Sequence, residues 1–176
     1  MEMLKEFLVK DGININGNAI YREAVRAVIR NGGNCLMVLS KKNGDYKFPG
    51  GGINDGEDHE STLRRELREE CGIQMLEIIA GYGKVIEYDR PKEREYDVFK
   101  MTSYYYLCSS DTAFGQQNLD DYEKALGFTP VWISLDAALA NNKQRLEESP
   151  ETMPRWVKRD TYILERLKNE YGAQVS

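Results

Sequence analysis

The residues best suited to chemistry fall in one short stretch, Gly51 to Ile73, which reads GGINDGEDHESTLRRELREECGI. If Asp58 caps a helix that runs to about Cys71 and stops at Gly72, Glu66 stands three residues from Glu69 and four from Glu70. The three carboxylates then project from neighbouring positions of one helical face and converge. Unmatched, the arrangement is unfavourable. Like charges at these spacings cost roughly 0.2–0.5 kcal/mol per pair, and anions in the last turn oppose the helix dipole by about 0.3–1 kcal/mol each. Glu60–Arg64 and Arg65–Glu69 are opposite-charge pairs one turn apart, whereas Glu66 and Glu70 have no equally evident cationic partner. A bound cation supplies the missing charge, and hard carboxylate oxygens suit Mg²⁺ or Mn²⁺ rather than Zn²⁺. Composition alone equally allows a solvated charged helix. The glycines before the helix and the Gly72 stop weigh toward a metal site.

The elements that must position this helix are read from periodicity and turn residues. Leu63, Leu67 and Cys71 are spaced by four and give the helix an apolar side that packs on a sheet. Tyr21 to Ile29 and Cys35 to Leu39, separated by Asn31-Gly32-Gly33, read as a hairpin with a buried second strand. Tyr46 to Phe48 is a short strand before Pro49-Gly50-Gly51-Gly52. Met75–Tyr88, Tyr96–Cys108 and Phe128–Ile133 read as further strands, and Leu135 to about Glu147 and Arg155 to Glu170 as helices. Residues 109–127 form a polar, acidic connection with some helical character. Residues 1–18 carry Leu4, Phe7, Leu8 and Val9, which suit an edge strand. The mixture without an internal repeat predicts an α/β fold with helices on both faces of a sheet, and 176 residues suit one domain.

In this register the stretch resembles the signature of the Nudix hydrolase family (MutT-like). That signature is Gly, five residues, Glu, seven residues, then Arg-Glu-aliphatic-x-Glu-Glu-x-Gly-aliphatic. Gly51, Glu57, Arg65, Glu66, Leu67, Glu69, Glu70, Gly72 and Ile73 fill every specified position. Phe48-Pro49-Gly50 and the stretch from Val131 to Asp136 agree more weakly. The resemblance implies a Nudix fold, a mixed β-sheet sandwiched between α-helices. It implies a single domain over 1–176, with 1–18 as an N-terminal edge segment and 155–170 as a C-terminal helix. By matched position, Glu66, Glu69 and Glu70 would ligate the metal, with the Gly50 carbonyl as a further candidate. Arg65 would orient a glutamate, most simply Glu69, while Glu57 and Gly51 would shape the loop, Glu57 also supporting a metal-bound water. The general base stays open between Glu69 and the loop acids Asp120, Asp121 and Glu123.

The implied activity is a Mg²⁺- or Mn²⁺-dependent attack of water on a diphosphate linkage. The substrate would be a nucleoside triphosphate, oxidised ones included, or another nucleoside diphosphate derivative. A catalytically silent nucleotide-binding module is the alternative, and an intact box weighs against it. The formal net charge of -5 disfavours extended nucleic acid, including RNA 5′ ends, and anionic membranes. A small nucleotide remains the expected partner, and a homodimer is allowed. His59 is the only histidine, which leaves no serine-type triad, and it is expected to be exposed. Cys35, Cys71 and Cys108 lack a metal-ligand spacing and fit reduced thiols of a cytoplasmic protein. Met1 to Lys10 lacks the apolar core of a signal peptide. Tyr46, Phe48, Tyr104 and Trp132 are candidates to stack on a base, more often core than ligand. Lys84, Arg90, Lys92 and Arg94 are candidates for phosphate contact from a loop. Tyr88 and Pro91 both lie where subfamilies carry diagnostic residues, so they do not discriminate.

Overall fold

A computed structural model describes residues 1–171; the final stretch of the expected domain, 172–176, lies outside them. In chain order the elements are β1 (Met3–Leu8), β2 (Ala19–Asn31), β3 (Asn34–Ser40), β4 (Asp45–Lys47), α1 (His59–Cys71), β5 (Leu76–Asp89), β6 (Val98–Ser110), α2 (Asp121–Leu126), β7 (Phe128–Ser134), α3 (Leu135–Glu148) and α4 (Arg155–Tyr171). The strands form one mixed sheet in the order β1-β5-β6-β2-β3-β4, with β7 added on β3. The expected α/β architecture is present, and β1 closes one edge by parallel pairing with β5.

Alternation along the central strands sends side chains into two cores. Val25, Ala27 and Ile29 of β2 and Leu36 and Val38 of β3 pack with Leu63, Leu67 and Cys71 of α1. Val28, Cys35 and Met37 point the opposite way and pack with Ala138 and Leu139 of α3 and Ile163, Leu164 and Leu167 of α4. The sheet is therefore covered on both faces, which explains why β2 reads as six consecutive buried residues instead of an alternating strand. All three cysteines are buried and unpaired. No helix among the described residues is long and apolar enough to cross a membrane.

The hairpin expected from the Asn31-Gly32-Gly33 turn is only partly formed. β2 and β3 pair antiparallel at just Arg30↔Cys35 and Asn31↔Asn34. Along most of its length β2 instead runs parallel to β6, from Ala19↔Val98 to Ile29↔Cys108. Beyond the turn β3 leaves β2 to pair with β7 and β4, and the glycine loop takes the vacated edge. Val25 donates its amide to the Gly51 carbonyl at 3.0 Å, Ala27 to that of Pro49 at 2.9 Å, and Ile53 to that of Glu23 at 3.0 Å. The loop is thus laid down like a strand beside the most buried segment of the sheet.

That close approach dictates glycine at position 50. Its φ is +130°, and a Cβ there would stand 2.1 Å from the Val25 carbonyl oxygen. Backbone strain and steric clash act together, so Gly50→Ala is expected to lower the melting temperature by roughly 5 °C or more, measured by thermal denaturation of the purified protein. An unchanged transition would show that the loop does not need this conformation.

Candidate active site

Helix α1 has well-defined ends. Asp58 accepts from the Ser61 amide at 2.7 Å, and Ser61 Oγ accepts from the Asp58 amide at 3.0 Å, forming a reciprocal capping box. Gly72 ends the helix at φ +68°, where a Cβ would strike Gly115. With Leu63, Leu67 and Cys71 fully buried beneath it, the helix cannot rotate. In this fixed setting Glu66 and Glu70, one turn apart, face inward under the glycine loop, where they are 7% and 0% exposed.

Each buried carboxylate meets specific partners. Glu70 pairs with the Lys47 ammonium and accepts from the Gly50 amide at 2.8 Å. Glu66 accepts from Arg65 Nη1 at 2.7 Å, and it fills the space where a side chain on Gly51 would otherwise go. Helix α2 delivers a third carboxylate. Glu123 sits in the capping box of that helix, exchanging hydrogen bonds with Asp120 at 2.8 and 3.0 Å. Glu66, Glu70 and Glu123 each offer an oxygen within 4.8 Å of the others. Octahedral coordination of Mg²⁺ at 2.0–2.1 Å places cis oxygens about 3 Å apart and trans oxygens about 4 Å apart, so a hard cation fits this donor set.

The remaining expected residues divide between site and surroundings. Arg65 is the hub of the loop: it grips Glu57 through two parallel bonds of 2.6 and 2.8 Å, and also reaches Glu69 at 3.1 Å and the Gly52 carbonyl at 3.0 Å. Glu69 therefore shares Arg65 Nη1 with Glu66, outside the Glu66–Glu70–Glu123 cluster but on the same cleft as Glu66, Asp120 and Glu123. The Gly50 carbonyl accepts from Arg26 Nη1. Asp121 is exposed and faces Lys124 at 3.7 Å.

The sequence reading left Glu66 and Glu70 without cations. The structure provides Lys47 and Arg65, and the Lys47 contact is made across the fold from β4. His59 is half-buried, with Nδ1 2.5 Å from the Tyr106 hydroxyl and its ring against Tyr104. Of the aromatics considered for stacking, Phe48 is in the core and Trp132 lies on Phe114. The pocket beside the carboxylates is lined instead by Tyr122, Phe128 and Trp156.

Electrostatics follow from this packing. Burial, reinforced by the neighbouring Glu70 charge, pushes the Glu66 carboxyl up to about 7 despite Arg65. Burial also raises Glu123, partly offset by its bond to the Asp120 capping turn. Hydrogen bonds from Arg65 hold Glu57 down at about 2. The loop glutamate is thus anionic at neutral pH, while the Glu66 carboxyl holds a proton more readily than an ordinary glutamate.

The conserved pattern of the NUDIX domain matches residues 20–157, most of the chain. The chain belongs to the NUDIX domain family. The resemblance carried by Gly51–Ile73 is confirmed by that match. Among its NUDIX relatives, Nudix hydrolase 25 of Arabidopsis thaliana is 40% identical over 73 residues, 40% of this chain and 42% of that protein. An RNA pyrophosphohydrolase of Helicobacter pylori strain G27 is 35% identical over 85 residues, 45% of this chain and 55% of the relative. The chain thus spans about half the length of the curated relatives it matches. A MutT protein structure from Methanosarcina mazei Go1 superposes with a TM-score of 0.55 at 22% identity, over 83% of this chain and 94% of that one. An ADP-ribose pyrophosphatase from Streptococcus suis 89-1591 gives 0.54 at 19% identity, over 88% and 92%. These structures share the NUDIX fold.

The raised Glu66 carboxyl has a calculable consequence. Because its folded value, about 7, exceeds the ordinary 4.5, the folded state holds more protons between those limits, and stability falls as pH rises through that window. In chelator, the melting temperature should decline between about pH 5 and about pH 8, and Glu66→Gln should flatten much of that decline. Identical pH profiles for the two proteins would remove Glu66 as a strained carboxylate.

Proposed function

We propose that this NUDIX chain is a divalent-metal-dependent pyrophosphohydrolase that cleaves a diphosphate linkage in a small nucleotide, a nucleoside triphosphate or other nucleoside diphosphate derivative. The observation that carries the reading is the convergence of Glu66, Glu70 and Glu123 beneath the glycine loop. A stability-driven sequence has no reason to gather three carboxylates, two of them buried, around one point; a hard cation held by the buried pair, with a base beside it, accounts for them. Glu66 and Glu70, with the Gly50 carbonyl, would hold Mg²⁺ or Mn²⁺. When bound, the cation supplies charge neutralisation to the phosphate oxygens and lowers the pKa of water. Lys47 balances Glu70 and keeps its carboxylate oriented. Arg65 fixes Glu57, Glu66 and Glu69 relative to the loop.

The proton of the attacking water needs an acceptor. Glu69 has one oxygen engaged by Arg65, whereas Glu123 is raised by burial and stands beside Glu66 and Glu70. Glu123 is the better general base. Of the loop acids weighed with it, Asp121 faces solvent and Asp120 serves as the α2 cap.

The relatives named RNA pyrophosphohydrolases raise RNA 5′ ends as a substrate. The net charge of -5 and a pocket of about 250 Å³ beside the carboxylates favour a small nucleotide.

The test is turnover with Mg²⁺ of a panel of nucleoside triphosphates, nucleoside diphosphate conjugates and a 5′-triphosphorylated RNA. Hydrolysis of a small nucleotide is expected; no product from any member would leave a nucleotide-binding module. Glu70→Gln should lower kcat by about 10² or more and weaken cation binding. Glu123→Gln should lower kcat by about 10²–10⁴ while changing cation affinity less than about threefold. A larger kcat loss in Glu69→Gln than in Glu123→Gln would move the base to α1.

A further inference from the structure

Of the loop cations considered for phosphate contact, Lys92 lines a second cavity, which none of the residues assigned to the cation or the base borders. Its volume is about 550 Å³, within the range of about 300–1,000 Å³ that houses a small ligand. The ends of β1 and β5, the connection after α3 and the first turn of α4 enclose it. Trp156 borders both this cavity and the one beside Glu66 and Glu123. Arg159, on the first cavity, is joined to Glu87, on the second, at 3.0 Å. A single layer of side chains therefore divides the two spaces.

Charge distinguishes the second cavity from the rest of the molecule. Its buried Glu87 is matched by Arg159, and its Asp89 faces Arg155 at 3.6 Å. Lys10, Lys92 and Lys158 remain, none of them in an ion pair among the described residues, and only Glu151 on the cavity wall opposes them. The surplus is positive, in a chain whose net charge is -5. Ammonium groups gathered on one cavity repel each other, and an anion entering between them removes that repulsion and gains charge-assisted hydrogen bonds. Phe7, Leu8 and Met153 add apolar wall, which favours an anion carried on an organic group over a bare one.

We infer that the substrate is a two-ended nucleotide, one half of which carries a phosphate monoester in addition to the scissile diphosphate. The diphosphate lies at Glu66 and Glu70, and the phosphorylated half extends past Trp156 to Lys10, Lys92 and Lys158. Binding energy from this remote group then positions the linkage for attack. The inference deepens the hydrolase reading and rests on it for the diphosphate.

Two pairs of diphosphate-linked compounds test it, coenzyme A against 3′-dephospho-coenzyme A and NADP⁺ against NAD⁺, because the members of each pair differ by one monoester phosphate. With Mg²⁺ present, the phosphorylated member of at least one pair should show a kcat/KM about tenfold higher than its partner. Lys92→Ala combined with Lys158→Ala, both at exposed positions, should bring that ratio to within about threefold. Lys158→Arg keeps the charge and should retain the preference. Where no product forms, the ratio of calorimetric Kd values takes the place of kcat/KM: a binding preference without product would sink the enzyme reading alone, and turnover without a preference would sink only this one. Equal values within both pairs, no binding of either pair in the millimolar range, or a ratio that the double variant leaves unmoved would each overturn the inference. Inorganic phosphate that alters turnover of both members of a pair equally would assign the cavity to a free anion and overturn it as well.

Discussion

Two carboxylates one turn apart, Glu66 and Glu70, are pressed under a glycine loop with almost no access to water, and the rest of the molecule is organised around tolerating them. Ionised groups in such a place are stable only when partnered. The Lys47 ammonium and the Gly50 amide meet Glu70; Arg65 meets Glu66. These contacts lower the cost without removing it: burial first, and the Glu70 charge second, still hold the Glu66 carboxyl above the ordinary glutamate value. On the proposed reading that residual tension would be the basis of cation affinity, since a site fully neutral without its ion would have no reason to hold one.

Rigidity of the surrounding framework turns this tension into a site. α1 is fixed by its caps and its buried leucines, and the loop is fixed by backbone bonds to β2, the edge that β3 gives up. At the start of the loop, Asp160 of α4 accepts from the Phe48 amide at 3.1 Å and from the Tyr105 hydroxyl at 2.6 Å. The helix on the far face of the sheet therefore braces the loop on the near one. A carboxylate that cannot swing away from its neighbour cannot escape the repulsion, which is how packing energy is converted into affinity for a ligand.

Much of this was legible in the sequence, and what was not has a common cause. The helix and its Asp58 and Gly72 caps depend on residues within a turn or two of one another, so local spacing specified them, whereas the burial of Glu66 and Glu70 was not foreseen. The strands were placed within a residue or two because β-branched runs and glycine turns are also local. The β2–β3 pairing was over-read, because the Asn31-Gly32-Gly33 turn announces a hairpin but cannot show that β6 competes for the same strand. Lys47, Arg26 and Arg159 escaped notice since isolated basic residues carry no spacing signal; only the fold brings β4, β2 and α4 to one pocket. Glu69 was grouped with Glu66 and Glu70 from helical spacing and from the family resemblance, and Arg65 Nη1 ties it to Glu66. The Glu123 approach was anticipated only as one of several acids on a polar connection.

Titration of the folded protein with Mn²⁺, followed by electron paramagnetic resonance of the free ion, tests the central claim most directly. The account predicts saturable binding at submillimolar concentration that is displaced by Mg²⁺ and lost when Glu66 and Glu70 are both replaced by Gln. A spectrum that stays that of the free ion through millimolar protein, or binding indifferent to those two carboxylates, would contradict it.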